Sequence, residues 1–492
     1  MTATSPDIRI AIVGHTNAGK TSLLRTLMRD PDFGEVSDSP GTTLDNTVVT
    51  IPINQQHSIA LTDTPGLEDS IGLLEALLNA RSSEREDGHT SIERFLADTP
   101  AAHTRFSQEA KAIASVLDAE AVLYVIDARE RVLAKYRDEL RILSFCARPI
   151  VPVLNFTADE RARTQEWRRE LSRLHMHAVA EFDTVVLESG GEVRLFEKLR
   201  SLLDHHRQLI DALIESRKRE RNRLILQSAR LIADMLIDVA SLAISVDVVD
   251  QPKVASSIEE LQALIRQREQ DMLRDMLVLH RFRPGDLVAR DLPIEGGAFG
   301  IDLFNPEALA EYSVRGGGGA AAGAAVGLTL DMMFGGLSLG AATALGAAIG
   351  AVVGGGRRPG RKLLEKVTGR SQLHADAATL GMLTARGLRL VDALLHRGHA
   401  SVSQGVVDHD DQTSPDDVRT RAASTGQHAK IEEVLRLLLA VECRTSWSRI
   451  ASARKGHPFF PSPRRDALLV KLAEQLAENM SGDLPSDSFR KR

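Results

Sequence analysis

Residues Gly14 to Thr21 read GHTNAGKT and decide how the first part of this chain folds. The string fits the pattern G-x-x-x-x-G-K-[ST], whose glycines let the backbone wrap around phosphate groups. The apolar run IRIAIV comes before it, and the amphipathic stretch SLLRTLM comes after it. Because the motif requires a strand, a loop and a helix in that order, the sequence predicts a phosphate-binding loop here.

The side chains of this loop have distinct expected tasks. Lys20 neutralises charge on the β- and γ-phosphates of a nucleotide, and the hydroxyl of Thr21 binds Mg²⁺. Several backbone N–H groups point inward, where the N-terminus of the following helix also favours negative charge. The residues of this loop expected to contact the nucleotide are Gly14, Asn17, Ala18, Gly19, Lys20, Thr21 and Ser22.

A second motif supports the first. Asp63-Thr64-Pro65-Gly66 follows the apolar run HSIALT and matches the D-x-x-G pattern of GTPases. In that pattern the carboxylate of Asp63 reaches Mg²⁺ through water, and the N–H group of Gly66 senses the γ-phosphate. Together the two motifs predict an enzyme that binds and hydrolyses a nucleoside triphosphate with Mg²⁺.

Six apolar runs of strand-like composition lie within residues 8–200, with helical patterns between most of them. This rhythm predicts an α/β fold with a largely parallel sheet flanked by helices. The second and third runs are close enough to form a hairpin. The runs are Ile8–Val13, Thr47–Ile53, Ile59–Thr62, Ala121–Ile126, Ile150–Leu154 and Thr184–Leu187.

After about residue 200 the strand signal stops, and apolar residues recur at spacings of three to four, which predicts a largely α-helical C-terminal region. Helices are expected at 205–245, 254–282, 361–397, 429–444 and 465–479. The predicted organisation is a G domain at 1–200, a helical region at 201–315, a Gly/Ala-rich apolar segment at 316–356, helices at 357–399, a flexible linker at 400–427 and a C-terminal helical region at 428–492.

The Gly/Ala-rich segment from Gly316 to Gly356 has a single charged residue, Asp331. Its glycines at four-residue steps would share one helix face, and such faces let helices approach closely in membranes. A continuous helix of this length would measure about 60 Å, about twice a bilayer core. The sequence leaves open a single span near 332–353, a hairpin that enters one leaflet, and a hairpin buried in protein.

Between the two nucleotide motifs, Val36 to Asp45 reads VSDSPGTTLD. With its G-T-T sequence in the first switch, the chain resembles the TrmE–Era branch of P-loop GTPases over residues 8–200. The resemblance implies that Thr43 coordinates Mg²⁺ in the triphosphate state. The chain is also similar to a bacterial family that joins this type of G domain to a helical C-terminal domain, and that family implies GTP binding.

The resemblance implies three finer details. Asn17 stands where potassium-stimulated members of the branch bind K⁺, and residues 37–42 resemble their K⁺-binding loop; the alternative is that Asn17 only stabilises the loop. Leu67 stands where many GTPases have a water-orienting Gln, so intrinsic hydrolysis should be slow. Glu75 stands where TrmE-type enzymes have a Glu that positions water; the alternative interpretation is that it is only a solvent-exposed charged residue of a helix.

Recognition of guanine departs from the usual N-K-x-D motif. After the run IVPVL, Asn155 is present, Phe156 replaces the Lys, and Asp159 comes one position late. Phe156 can still cover the face of a base, and Asp159 can reach the base edge if the turn bulges. Ser189, in LESGG, is a weak match to the S-A-[KL] loop that touches guanine. GTP is therefore the expected nucleotide, mainly on the first-switch match.

The composition limits the expected partners. A net charge of -6 and an aromatic content of only 4% argue against a general nucleic-acid binder. Cys146 and Cys443 match no metal or redox spacing, and the first residues have no signal-peptide pattern. We therefore expect a cytoplasmic protein, with association with the inner membrane left open.

The expected function is a GTPase of low intrinsic rate that acts as a nucleotide-dependent, membrane-associated switch. Its expected partners are GTP or GDP, Mg²⁺, membrane lipid and an unknown protein effector, with K⁺ and a homo-oligomer left open. Two alternatives remain: a ribosome- or RNA-assembly GTPase of the Era type, and a membrane remodeller similar to dynamin in its order of G domain, helices and apolar tip.

Overall fold

The computed structural model describes residues 6–29, 46–79, 86–186, 190–247, 250–282, 294–295, 298–299, 302–304, 328–330, 370–397, 431, 433–438, 441 and 444–480. The chain divides into two compact units. The first contains Met1–Arg221 and Leu395–Gln404, and the second contains Asn222–Leu394 and Gly405–Arg492.

A six-stranded sheet forms the centre of the first unit. The strand order is β2-β3-β1-β4-β5-β6, and the neighbouring strands are parallel except for the antiparallel pair β2 and β3. The predicted α/β fold and the predicted hairpin are therefore confirmed. The strands are β1 (Ile8–Gly14), β2 (Thr47–Pro52), β3 (Ser58–Asp63), β4 (Ala121–Asp127), β5 (Ile150–Asn155) and β6 (Ala180–Glu181).

Helices cover both faces of this sheet, because alternate residues of its central strands are apolar in both directions. In β4, Val122 and Tyr124 enter one apolar cluster, whereas Leu123 and Val125 enter the other. The helices are α1 (Lys20–Met28), α2 (Ser70–Asn79), α3 (Gly88–Asp98), α4 (Ser107–Leu117), α5 (Ala134–Phe145), α6 (Thr164–Arg173) and α7 (Gly191–Leu202).

The carboxyl ends of the parallel strands place the motif residues at one edge of the sheet. β1 ends at Gly14, β3 ends at Asp63 and β5 ends at Asn155. Ligands of open parallel sheets bind at this edge. The three motifs found in the sequence therefore belong to one site.

The sixth strand lies earlier in the chain than predicted. It is Ala180–Glu181, whereas the predicted run, Thr184–Leu187, contributes only an isolated bridge from Val186 to Arg397. The backbone turns at this point because the carboxylate of Asp183 accepts hydrogen bonds from the N–H groups of Val185 and Val186. An acidic residue that caps its own loop in this way prevents the strand from continuing.

Long helices dominate the described part of the second unit, which confirms the predicted helical C-terminal region. The helix α8 contains the boundary between the two units. The helices are α8 (Arg207–Ser241), α9 (Gln251–Leu279), α10 (Ala377–Leu395), α11 (Arg449–Arg454) and α12 (Pro463–Met480). The strands are β7 (Ile244–Asp247), β8 (Ile294–Glu295), β9 (Ala298–Phe299), β10 (Leu328–Leu330) and β11 (Arg370–Ala375).

The expectation that strands stop near residue 200 is wrong. β10, β11 and β7 form an antiparallel sheet in that order. Within the helix predicted at 361–397, Arg370–Ala375 form β11 and Ala377–Leu395 are helical. These strands are three to six residues long, and Asp247 pairs with Arg370, far along the chain. Strands this short give no clear alternation, so their pairing depends on tertiary packing.

The predicted membrane segment lies largely outside the described residues. Within 316–356 the structure describes Leu328–Leu330, which form strand β10 and are not helical. None of the helices in the described part of the chain is long and apolar enough to cross a membrane. The linker predicted at 400–427 also lies outside the described residues.

Candidate nucleotide site

Two glycines of the phosphate-binding loop lie where a side chain would collide with the protein. A Cβ atom on Gly14 would lie 2.3 Å from the carbonyl oxygen of Val125. Gly19 has a φ of 93°, and a Cβ atom there would lie 2.2 Å from Nδ2 of Asn155. The loop therefore needs glycine at both positions so that its backbone can lie close against the ends of β4 and β5 before α1 begins.

The side chain of Lys20 lies inside this loop, and its ammonium group contacts the loop backbone. Its Nζ donates to the carbonyl oxygens of Gly14 and His15, at 3.1 Å each, and the residue is only 7% exposed. Burial lowers the pKa of Lys20, while the nearby Asp63 opposes that shift. Phosphate oxygens would replace two neutral carbonyl partners with charged ones, which form stronger hydrogen bonds.

Thr21 and Asp63 form the candidate magnesium site. The hydroxyl of Thr21 donates to Oδ2 of Asp63 at 2.6 Å, which joins the start of α1 to the end of β3. Oδ1 of Asp63 is buried and has no hydrogen-bond partner among the described residues. Burial raises the pKa of Asp63. A hydroxyl, a carboxylate and an unused carboxylate oxygen fit Mg²⁺, which prefers oxygen ligands.

The segment after Asp63 packs directly against the phosphate-binding loop. The N–H group of Leu67 donates to the carbonyl oxygen of Gly14 at 3.4 Å, and the hydroxyl of Thr16 donates to Glu68 at 3.1 Å. A Cβ atom on Gly66 would lie 2.5 Å from Oγ1 of Thr16. Gly66 therefore lies directly beside the phosphate-binding loop.

Asn155 joins the phosphate-binding loop to the base side of the site. Its Nδ2 donates to the carbonyl oxygen of Ala18 at 3.0 Å, and its Oδ1 accepts from the N–H group of Thr184, also at 3.0 Å. The residue is fully buried. A buried amide with partners on two loops fixes the distance between the phosphate side and the base side of the site.

Phe156 takes the sequence position of the Lys in the N-K-x-D motif. Its φ is 57°, and its Cζ would lie 3.3 Å from a Cβ atom on Gly19, so the ring adjoins the phosphate-binding loop. The guanidinium group of Arg129 lies over the ring, 4.0 Å from its centroid. Asp127 holds Arg129 through hydrogen bonds from Nε and Nη2 at 2.9 and 2.7 Å.

Asp159 lies near the same ring but already has a partner. Its two carboxylate oxygens accept from Nε and Nη2 of Arg161, at 2.9 and 2.8 Å, and Nη1 of Arg129 is 4.0 Å from Oδ2. The hydrogen bond from Arg161 is the largest cause that lowers the pKa of Asp159, to about 2. The carboxylate is therefore ionised at neutral pH and oriented by a guanidinium group.

Some predicted site residues stay predictions. Thr43, Ser189 and the segment 37–42 lie outside the described residues. Asn17 has a left-handed backbone with a φ of 63°, which Asn tolerates, and its K⁺ role is untested. Glu75 lies on α2 with an exposed side chain, and its task in positioning water is likewise untested.

Sequence reasoning missed several residues of the site, because no motif includes them. Arg129 and Arg161 flank the base loop as described above. Asp183 accepts from the N–H group of Ala158 at 2.9 Å and so shapes the same loop. Another missed residue is Glu139, which is fully buried and contacts His15 of the phosphate-binding loop at 2.9 Å. The available signal was the spacing of Glu139, which lies three residues after Tyr136 and four before Leu143 and so falls on the apolar face of α5.

Comparisons with known proteins agree with this geometry. Residues 9–156 match a family described as "50S ribosome-binding GTPase". The "tRNA modification GTPase MnmE" of Bacteroides thetaiotaomicron is 27% identical over 208 residues, which cover 42% of this chain and 43% of that protein. The MnmE of Mesoplasma florum is 44% identical over 71 residues, covering 14% of this chain and 15% of that protein. The chain thus spans less than half of the length of these relatives.

The solved structures that the chain matches include Era in complex with MgGDPNP and nucleotides of 16S ribosomal RNA. It is 18% identical with a TM-score of 0.27, and the match covers 36% of this chain and 50% of that one. Elongation factor SelB from Methanococcus maripaludis, in complex with a GTP analogue, is 15% identical with a TM-score of 0.24, covering 43% and 34%.

Residues 168–460, more than half of the chain, match the family described as "Domain of unknown function (DUF3482)". The G-domain match lies N-terminal to this region. The chain therefore belongs to the DUF3482 family and carries an N-terminal P-loop GTPase domain of the TrmE–Era type.

Proposed function

We propose that this protein binds GTP with Mg²⁺, hydrolyses it slowly and acts as a nucleotide-dependent switch. The observation that carries the proposal is the pair formed by Thr21 and Asp63. Their hydroxyl and carboxylate are 2.6 Å apart, one carboxylate oxygen is unused, and the buried ammonium group of Lys20 is close enough to influence the carboxylate. A phosphate-binding loop at a parallel-sheet edge supports a nucleoside triphosphate as the ligand.

Each of these groups has a task on the phosphates. Lys20 exchanges the carbonyl oxygens of Gly14 and His15 for β- and γ-phosphate oxygens. Thr21 and Asp63 hold Mg²⁺, with Thr43 as the further proposed ligand. When bound, the metal ion neutralises negative charge on the transferred phosphoryl group.

The switch follows from the position of Gly66. Its N–H group lies in the segment that packs against Thr16 of the phosphate-binding loop. In the triphosphate state, contacts of Gly66 and Thr43 with the γ-phosphate and Mg²⁺ order their two segments, and hydrolysis releases both. The DUF3482 region, or a protein effector, then responds to this change.

Slow turnover follows from the side chain after Gly66. Leu67 is fully buried in the apolar core, so it neither lines the phosphate site nor orients water. We assign water positioning to Glu75 of α2. The charge that an arginine finger supplies in other GTPases would come from K⁺ near Asn17.

The test is nucleotide binding and turnover by the full-length protein. We expect wild-type protein to bind a fluorescent GTP analogue only with Mg²⁺ and to release phosphate from GTP. Lys20→Ala should remove measurable binding, because the variant loses the cation that faces several phosphate charges. The matched control is Lys218→Ala, which removes an exposed lysine of α8 and should bind as wild type does. Equal affinity in wild type and a folded Lys20→Ala would refute the proposal.

A second candidate function is assembly of the ribosome. It is favoured by the match of residues 9–156 to a family described as 50S ribosome-binding GTPase. Because the net charge is -6, any contact with RNA should be confined to a defined site. Co-sedimentation with 50S subunits in the GTP-analogue state, lost with GDP, would support it, and sedimentation apart from ribosomes in both states would exclude it.

Membrane association is also part of the proposal, and it is supported only by the Gly/Ala-rich composition of residues 316–356. Liposome flotation of the full-length protein, compared with a variant in which this segment is replaced by a short polar linker, tests it. We expect the wild type to float with anionic vesicles and the deletion variant to remain in the soluble fraction with its GTP affinity intact. A wild type that never floats would remove membrane association from the proposal.

A further inference from the structure

The ring of His15 lies where three parts of the first unit meet. Its Nδ1 is 3.0 Å from the carbonyl oxygen of Leu67 and 2.9 Å from Oε1 of Glu139. Its Nε2 is 2.9 Å from Nζ of Lys135. The phosphate-binding loop, the segment after Gly66 and helix α5 therefore all contact one imidazole.

The partners determine which nitrogen of the ring has the proton. The ammonium group of Lys135 can only donate, so Nε2 of His15 accepts and has no proton. The proton is then on Nδ1, where both neighbours, the Leu67 carbonyl and the Glu139 carboxylate, are acceptors. Nδ1 is thus the donor of the ring, and its N–H group is shared between the Leu67 carbonyl and the Glu139 carboxylate.

Glu139 keeps the ring in this orientation. It is fully buried, and its second oxygen accepts from the hydroxyl of Tyr124 at 2.7 Å. Burial, followed by the charge of Glu139, raises the pKa of Tyr124, so this hydroxyl stays protonated and donates. The ring of Tyr136 packs edge-on against His15 with 5.5 Å between centroids. Without the N–H group of His15, Oε1 of this buried carboxylate would lose its partner, and burial of an unpaired carboxylate oxygen is costly.

We infer that His15 is a positioning residue for GTP hydrolysis, through which the phosphate-binding loop holds the backbone at Leu67 and so places the N–H group of the adjacent Gly66. Leu67 also donates its own N–H group to the carbonyl oxygen of Gly14, so both backbone groups of Leu67 are tied to the loop. This inference rests on the proposed GTPase function. His15 acts through Leu67, and its side chain is not a phosphate ligand.

A positioning role predicts a specific kinetic pattern. Loss of the contact to Leu67 should lower kcat and the preference for a GTP analogue over GDP, because both depend on Gly66. The affinity for GDP should change little, since Lys20 and the loop backbone hold the β-phosphate. A residue that only filled space would instead change stability, with kcat following it.

Two amide variants test the position of the N–H group. His15→Asn places an amide N–H near Nδ1, whereas His15→Gln places its amide near Nε2. We expect His15→Asn to keep kcat near the wild-type value and His15→Gln to lose about five- to tenfold, as for one lost hydrogen bond. His57→Asn is the matched control, because His57 pairs with Asp7 away from this network.

The outcomes distinguish the positioning role of His15 from the proposed GTPase function. A wild type that neither binds nor hydrolyses GTP would refute the proposed function itself. If the wild type hydrolyses GTP but His15→Asn and His15→Gln have the same kcat, the positioning role is wrong and the GTPase assignment stands. GDP affinity and thermal melting of both variants establish that they are folded.

Discussion

The carboxylate of Asp159 receives two parallel N–H groups from Arg161, at 2.9 Å from Nε and 2.8 Å from Nη2. Guanine offers a carboxylate the same arrangement, with two adjacent N–H groups on one edge. Asp159 therefore makes to Arg161 the same kind of contact that the Asp of N-K-x-D makes to guanine. The Arg161 side chain is 74% exposed, so it can leave Asp159 when a base arrives.

Asp159→Asn should weaken GTP binding more than ATP binding. The variant loses charge-assisted hydrogen bonds worth about 1.5–3 kcal/mol, or roughly 10–150-fold in affinity. Competition binding of GTP and ATP against a fluorescent nucleotide measures the ratio. If the GTP/ATP ratio did not change, other groups of the loop would read the base.

Arg161→Ala should strengthen GTP binding. Because the guanidinium and the base compete for one carboxylate, removal of Arg161 should raise GTP affinity about two- to fivefold, the range expected for an exposed ion pair. The same substitution in an Asp159→Asn background should have no effect. A loss of affinity in the single variant would mean that Arg161 contacts the nucleotide and assists its binding.

Asp63→Asn should stabilise the nucleotide-free protein while it removes Mg²⁺-dependent binding. The raised pKa of Asp63 means that the folded state favours the protonated form. Its stabilising contribution is present below the ordinary Asp value and is lost as the pH rises through the raised pKa. We therefore expect the melting temperature of Asp63→Asn to exceed that of wild type at pH 7.5, and the difference to shrink as the pH falls towards 4. A variant that melts lower at pH 7.5 would contradict this account.

Replacement of K⁺ by Na⁺ should lower GTP turnover if Asn17 holds a monovalent ion. The backbone of Asn17 is left-handed, so Asn17→Gly removes the amide without strain, whereas Ala would add strain. We expect Asn17→Gly to hydrolyse GTP at equal rates in the two salts. A wild-type rate that is itself independent of the cation would reject a K⁺ site.

Arg465→Met should strongly destabilise the second unit. Arg465 is 2% exposed and donates to Asp234 and Asp238 at 2.8 and 3.1 Å, so its loss leaves buried carboxylates short of a partner. Breaking such an ion pair costs about 3–5 kcal/mol. The adjacent, exposed Arg464→Met is the control. Arg268 and Arg449 also pair with these two carboxylates. Urea unfolding that gives equal midpoints for both variants would show that these two arginines compensate for the loss of Arg465.

The sequence by itself determined the elements whose signals are local. The run from Ile8 to Val13, the glycines and Lys20 lie within a few residues of one another, so their strand, loop and helix were predictable from spacing alone. The same is true of Asp63 at the end of its strand. Long helices such as Arg207–Ser241 were also predictable, because periodicity over many residues is a strong signal.

Tertiary structure decided the contacts between residues that are far apart in the chain. His15 and Glu139 are 124 positions apart, and Asn155 reaches Ala18 across 137 positions. The short strands of the second unit, and the turn that Asp183 makes after the sixth strand, likewise depend on partners that no local pattern names. Burial is the physical reason: a polar group removed from water must find a partner wherever the fold supplies one, and only the assembled fold determines which partner that is.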